Sequence, residues 1–174
     1  MKTLNKVLFT LFLIFCSATA NAHPNGLYVL EYPVNMPDIS ITDENGDPFQ
    51  ILDSSAELTI MTFWSKTCFP CIKEMKHLER FAKKAQADNI LTILVSSAGE
   101  WSNNLQQRQF LTKYGAPTIP FYNDKENALS LSLGIGSTPY TVIMNKNGKK
   151  VATIQGEINW SSDKLYHKIL RLIP

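Results

Sequence analysis

Two cysteines stand three positions apart in Trp64-Ser65-Lys66-Thr67-Cys68-Phe69-Pro70-Cys71. An apolar, β-rich run ends at Trp64, and a helical pattern opens near Cys68. A thiol in the first turn of a helix meets unpaired backbone N–H groups and the positive end of the helix dipole, which favour its thiolate. Such placement lowers a cysteine pKa from about 8.5 to roughly 3.5–7.5. Lys66, two residues ahead of Cys68, is expected to stabilise the thiolate further, and Lys73 follows in the helix. Cys68, at the tip, is then the nucleophile that attacks a disulfide. Cys71, one turn in, is the shielded thiol that resolves the mixed disulfide by attacking Cys68.

Two blander chemistries use the same residues, besides a pair of inert buried thiols, which would be odd beside Pro70 at a helix start. A purely structural disulfide is one, but it closes a very short loop and restricts the unfolded chain little. Half of a zinc or copper site is the other, and it needs more ligands. His77 is six residues beyond Cys71, His167 is far along the chain, and His23 is near its start. None has metal-ligand spacing, so no metal site is assigned.

The elements that must hold the pair are legible as patterns. Residues 58–64 are too continuously apolar for a strand with one face in water and read as a central strand buried on both faces. Pro70 is tolerated in the first turn of the following helix. Ile72, Met75, Leu78, Phe81, Ala82 and Ala85 recur at helical spacing as its buried stripe. Residues 89–95 read as a second buried strand and 100–114 as a helix ended by Gly115 and Pro117. A short strand is expected at 118–122 and a short helix at 125–133. Residues 39–51 form a hairpin around Asn45-Gly46, and 140–154 form another around Asn147-Gly148. Ser161 or Ser162 caps a closing helix with Leu165, Ile169 and Leu172 on one face. Residues 23–37, with three prolines and little periodicity, read as an extended lead-in to a single domain at 38–174. Strands alternating with helices imply a mixed sheet covered on both faces.

The first 22 residues read as an address. Two lysines and no acid precede an apolar run at 7–15, and Ala20-Asn21-Ala22 supplies an A-x-A cleavage pattern before His23. The run is about half of the roughly 20 residues that span a membrane. An uncleaved anchor facing the periplasm is the alternative. The precursor has 174 residues, 17 Lys+Arg against 15 Asp+Glu, and three cysteines. Cleavage leaves 152 residues with no net formal charge and removes Cys16, so Cys68 and Cys71 become the only thiols. Composition is ordinary for a globular chain, with 44% hydrophobic and 18% charged residues. The small charge argues against nucleic-acid binding.

With Phe63-Trp64 ahead of Cys68-Phe69-Pro70-Cys71, and Ser137-Thr138-Pro139-Tyr140 opening a strand that runs to a turn at Gly148, the chain resembles the thioredoxin superfamily. Within it, the chain is similar to the TlpA/ResA-like extracytoplasmic thiol–disulfide oxidoreductases. Gly156 sits where the family has a glycine after the last strand, and residues 96–127 fall where this subgroup carries an insertion. The resemblance implies an α/β thioredoxin-like fold, with a central mixed β-sheet flanked by helices, an N-terminal β-hairpin and a central αβ insertion. It also implies that Pro139 is cis and packs against the cysteines. Thr138 would offer its backbone to a substrate strand, with Trp64, Phe69 and Pro70 completing the substrate surface. Three positions depart from the family pattern. Thr62 stands where thioredoxins have a buried aspartate, Phe69 where ResA-type proteins have a glutamate, and Thr67 where an aromatic residue often precedes the first cysteine. The proton shuttle is therefore water or a carboxylate brought in from elsewhere.

The resulting expectation is a monomeric periplasmic enzyme whose only redox group is the Cys68–Cys71 pair, with no other cofactor. Pro70 before the second cysteine resembles reducing thioredoxins. The resemblance implies a membrane thiol reductant of the DsbD/CcdA type as electron donor. Apocytochrome c or a metal-site assembly protein are the expected exported substrates. An oxidase or isomerase of exported proteins is the alternative on the same fold. A copper-delivering or docking protein without turnover is the alternative from another class.

Overall fold

The computed structural model describes residues 26–174. Its strands are β1 (Gly26–Asn35), β2 (Ser40–Thr42), β3 (Pro48–Gln50), β4 (Leu58–Phe63), β5 (Ile90–Ser97), β6 (Phe121–Asp124), β7 (Tyr140–Asn145) and β8 (Lys149–Gln155). Its helices are α1 (Phe69–Ala85), α2 (Asn104–Lys113), α3 (Ala128–Ser132) and α4 (Asp163–Leu170). The expected cleavable leader and residues 23–25 lie outside the described residues. Among the described residues, no helix is long and apolar enough to cross a membrane.

All six residues of β4 are buried, as a strand covered on both faces requires. It lies between β5, to which it runs parallel, and β7, to which it runs antiparallel. The whole sheet has the order β1-β8-β7-β4-β5-β6-β2-β3 and is mixed. Alternation along β4 divides the core. Leu58 and Ile60 join Met75, Leu78, Phe81, Leu165 and Ile169 on the α1 and α4 side. Met61 and Phe63 join Ile41, Ile51 and Leu129 under the first hairpin and α3. This is the thioredoxin-like architecture that the residue patterns and the resemblance led to.

The differences are local and have physical reasons. Residues 26–35, expected as a lead-in, form an edge strand antiparallel to β8, so the sheet begins well before residue 38. The register breaks between Val29 and Val34, around Pro33, which cannot donate to a ladder and is tolerated at edges and bulges. Helix α2 opens at Asn104 rather than 100, because the Asn103 side chain accepts from the Gln106 N–H at 2.9 Å. Strand β6 begins at Phe121 rather than 118 because the N–H groups of Thr118 and Ile119 donate to Glu79, each at 3.2 Å. Helix α3 is shorter than 125–133: Asp124 accepts from Leu129 and Ser130, and Glu126 and Asn127 sit at φ 54° and 56°. Ser162, not Ser161, caps α4. Gly115, at φ +89°, ends α2 where a Cβ would lie 3.0 Å from Lys76 Cβ, so α1 and the end of α2 approach through a residue without one.

Glu79 ties the insertion to α1. Burial pushes its pKa up, but hydrogen bonds from Thr118 and Lys83 outweigh this and leave it below the usual carboxylate value. Lys83, four residues on, lies 3.0 Å from the carboxylate. Glu79→Ala strands two N–H groups and is expected to destabilise the protein by about 2–4 kcal/mol, read from urea unfolding at neutral pH. A loss below about 0.5 kcal/mol would contradict this assignment.

Candidate active site

Strand β4 delivers the chain to α1 in five residues. The Trp64 N–H donates to Val95 at 3.0 Å, extending the β4–β5 ladder by one step, and the Cys68 N–H closes a turn onto Ser65 at 3.1 Å. Cys68 is then the N-cap of α1, with extended backbone, and its Sγ accepts the Cys71 N–H at 3.2 Å. The helix thus turns a backbone donor onto the sulfur that must carry negative charge, with Pro70 in the first turn where its missing N–H costs nothing. The two sulfurs are joined at 2.07 Å. Cys71 is wholly buried, whereas Cys68 is partly exposed and Phe69 beside it is 74% exposed. An incoming disulfide can reach Cys68 and not Cys71.

The Thr138–Pro139 peptide bond is cis. Register places it: Phe63 pairs with Tyr140, so the residue before β7 lies alongside the residue after β4. The Thr62 and Thr141 hydroxyls bond at 3.0 Å and hold that register, which is what occupies the site of the thioredoxin aspartate. Thr138, Ser65 and Glu100 line a cleft of about 330 Å3 on this side of the cysteine loop.

The expected substrate surface divides. Phe69 and Pro70 are exposed and Thr138 is partly so. Trp64 is 2% exposed, packs on Trp101 and Phe110 at 5.5 and 5.9 Å, and lines the same cleft as Thr138. Lys66 is held by the segment that follows β5. Its ammonium donates to the Glu100 carbonyl and lies 5.4 Å from the Trp101 ring. His77 bonds Ser161 at 2.7 Å on the exposed side of α1. Among the described residues, no three His, Cys, Asp or Glu side chains gather as a metal-binding group.

One chemical group was missed. Glu74, 4% exposed, is three residues beyond Cys71 and therefore on the same helix face, one turn behind the buried sulfur. Its Oε2 accepts the Ile158 N–H at 3.2 Å, and the Trp160 indole N–H faces the same carboxylate. Burial, with the charge of Glu157 adding to it, pushes its pKa up to about 7. A second cleft of about 330 Å3, lined by Lys73, His77, Glu157 and Asn159, connects it to solvent. A carboxyl that titrates near neutrality behind the resolving thiol can take its proton and return it. Glu74 is the one acid between Cys71 and Leu78 in this helix.

A family model described as the AhpC/TSA family matches residues 34–152. The chain belongs to the AhpC/TSA family. Among curated relatives, the thiol–disulfide oxidoreductase ResA of Geobacillus thermodenitrificans is 28% identical over 120 residues, spanning 69% of this chain and 67% of that protein. ResA of Bacillus thuringiensis subsp. konkukian is 24% identical over 159 residues, covering 88% and 90%. A DsbF homologue from Corynebacterium diphtheriae shares the fold with TM-score 0.67 at 16% identity, covering 87% of this chain and 94% of that one. A secreted Mycobacterium tuberculosis disulfide oxidoreductase homologous to DsbE of E. coli gives 0.59 at 14%, covering 78% and 94%. With the joined cysteines at its helix tip, this AhpC/TSA-family chain is a thiol–disulfide oxidoreductase of the ResA/DsbE type.

Glu74→Gln is expected to slow closure of the Cys68–Cys71 disulfide at pH 7 by about tenfold or more and to erase an inflection near pH 7, read by stopped-flow. The sign of its stability effect follows from the raised pKa. The folded state holds the proton more tightly, so stability falls as pH rises from about 4.5 to about 7, by up to roughly 3 kcal/mol. Glu74→Gln should remove that decline in urea unfolding of the oxidised protein. An unchanged pH slope would contradict it.

Proposed function

We propose that this enzyme works in the periplasm as a reductant of disulfides in exported proteins, with apocytochrome c or metal-site assembly proteins as substrates. In the reduced enzyme the Cys68 thiolate attacks a substrate sulfur, and the first substrate thiolate leaves. Glu74 takes the Cys71 proton, and Cys71 attacks Cys68 Sγ, releasing the second substrate thiol. Two electrons pass from the enzyme dithiol to the substrate disulfide. A membrane thiol reductant of the DsbD/CcdA type returns them.

The observation that carries the reading is the partly exposed Cys68 over a fully buried Cys71 at a helix tip, with the neighbouring lysine bonded to Glu100. Strong oxidants of this chemistry owe their potential to a heavily stabilised reduced form. Here the helix end supplies the positive field and the Glu100 carboxylate stands against the charge of Lys66, which favours a reducing couple. Phe69, Pro70 and the Thr138 backbone form the surface on which a substrate strand is read. The secreted relative from Mycobacterium tuberculosis supports an extracytoplasmic place, as does the leader pattern at 1–22.

Titration against thiol buffers is expected to place the couple nearer the thioredoxin value of about −270 mV than the DsbA value of about −120 mV. A value near the latter would make the enzyme an oxidase. In cells, Cys71→Ser should leave exported proteins disulfide-linked to Cys68, and the exported chain should begin at His23. Absence of trapped proteins, together with no disulfide reductase activity in vitro, would leave the copper-delivery or docking reading standing.

A further inference from the structure

The segment between β5 and α2 grips the loop that presents Cys68, and it does so through one residue twice. The Glu100 carboxylate accepts the backbone N–H of Lys66 at 2.9 Å, and the Glu100 carbonyl accepts the Lys66 ammonium. Trp101 completes the hold. Its ring lies under that ammonium and packs on Trp64, while its indole N–H donates at 3.0 Å to Ser96, which also accepts from buried Gln107 at 2.9 Å. Lys66 is two residues from Cys68, at most about 7 Å between Cα atoms. Between them the loop is fixed by the Cys68 N–H on Ser65 and the Thr67 N–H on the Ser65 hydroxyl.

We propose that Glu100 is a positioning residue for the nucleophile: its carboxylate pins the cysteine loop, and its negative charge offsets that of Lys66 beside Cys68. This rests on Cys68 being the attacking thiol. An anion near a thiol disfavours its thiolate and a cation favours it. With both present, the insertion keeps the field at Cys68 close to that of the helix end alone. Removing either charge then unbalances the site, and the two removals act in opposite directions.

The test is the equilibrium of enzyme dithiol and oxidised glutathione with enzyme disulfide and reduced glutathione, alongside the rate of Cys68 alkylation at neutral pH. Glu100→Gln keeps an oxygen to accept the Lys66 N–H but loses the charge. It should favour the thiolate, speeding alkylation about threefold and shifting the equilibrium about threefold toward the enzyme dithiol, or about 14 mV at 29.6 mV per tenfold. Lys66→Met should shift both about threefold the other way. The double variant should return to within about twofold of the wild type. A merely structural role would weaken both redox forms alike in urea unfolding and leave the glutathione equilibrium in place. No shift in either single variant, or shifts in the same direction, overturns the proposal. A wild-type chain that does not exchange with glutathone at Cys68–Cys71 overturns the functional reading as well.

Discussion

The structure depends on one handover, from a strand buried on both faces to the first turn of a helix. Strand β4 cannot shift without exposing Leu58 and Ile60 on one side or Met61 and Phe63 on the other, so its end is fixed in space. The chain leaves it, makes one turn at Ser65, and enters α1 at Cys68. Everything chemical follows from that position. The helix end stabilises the first sulfur, the helix spacing carries the second inward, and the paired strand β7 brings Thr138 and Pro139 alongside. Two identical side chains thereby acquire different roles from their environments alone.

The same helix supplies the proton chemistry. Most charged residues of α1 face water, but Glu74 and Glu79 turn inward and differ in what meets them. Glu79 receives hydrogen bonds from Thr118 and an ion pair with Lys83, so it stays ionised and serves as a fastening. Glu74 receives less and stands beside another acid, Glu157, so its proton is held until near neutrality. One acid fastens Thr118 and Ile119 to the helix, and the other is the group that the proposed proton step uses. Deeper burial at Glu74 and the stronger set of donors at Glu79 together decide the outcome.

Much of this was legible in the sequence. The cysteine spacing, the buried strand before it, the stripe along α1 and both hairpins express local rules of period, turn chemistry and capping, whereas the cis bond at Pro139 is implied only by the family resemblance of Ser137-Thr138-Pro139. The parts that were not legible depend on contacts between distant positions. Lys66 is legible as a charge near Cys68, but Glu100 and Trp101, which hold it, come from the segment after β5. Trp64 reads as part of the substrate surface, and its packing on Trp101 and Phe110 shows only when the chain folds. Strand β1 was hidden because Pro33 interrupts its alternation and only pairing with β8 makes it a strand. Glu74 was within reach, since a lone acid on an apolar helical stripe one turn behind a reactive thiol is a readable signal. Its neutral-range titration comes from burial and the charge of Glu157, which sequence order does not display.

The central claim is that the helix tip makes Cys68 the attacking thiol and Cys71 the resolving one. Brief alkylation of the reduced protein at neutral pH with limiting iodoacetamide tests it directly, the label being located by fragmenting the peptide that holds both cysteines. The account predicts that Cys68 takes the label at least about tenfold faster than Cys71, since thiolate character and access both favour it. Equal labelling, or preference for Cys71, would contradict the assignment on which the mechanism rests.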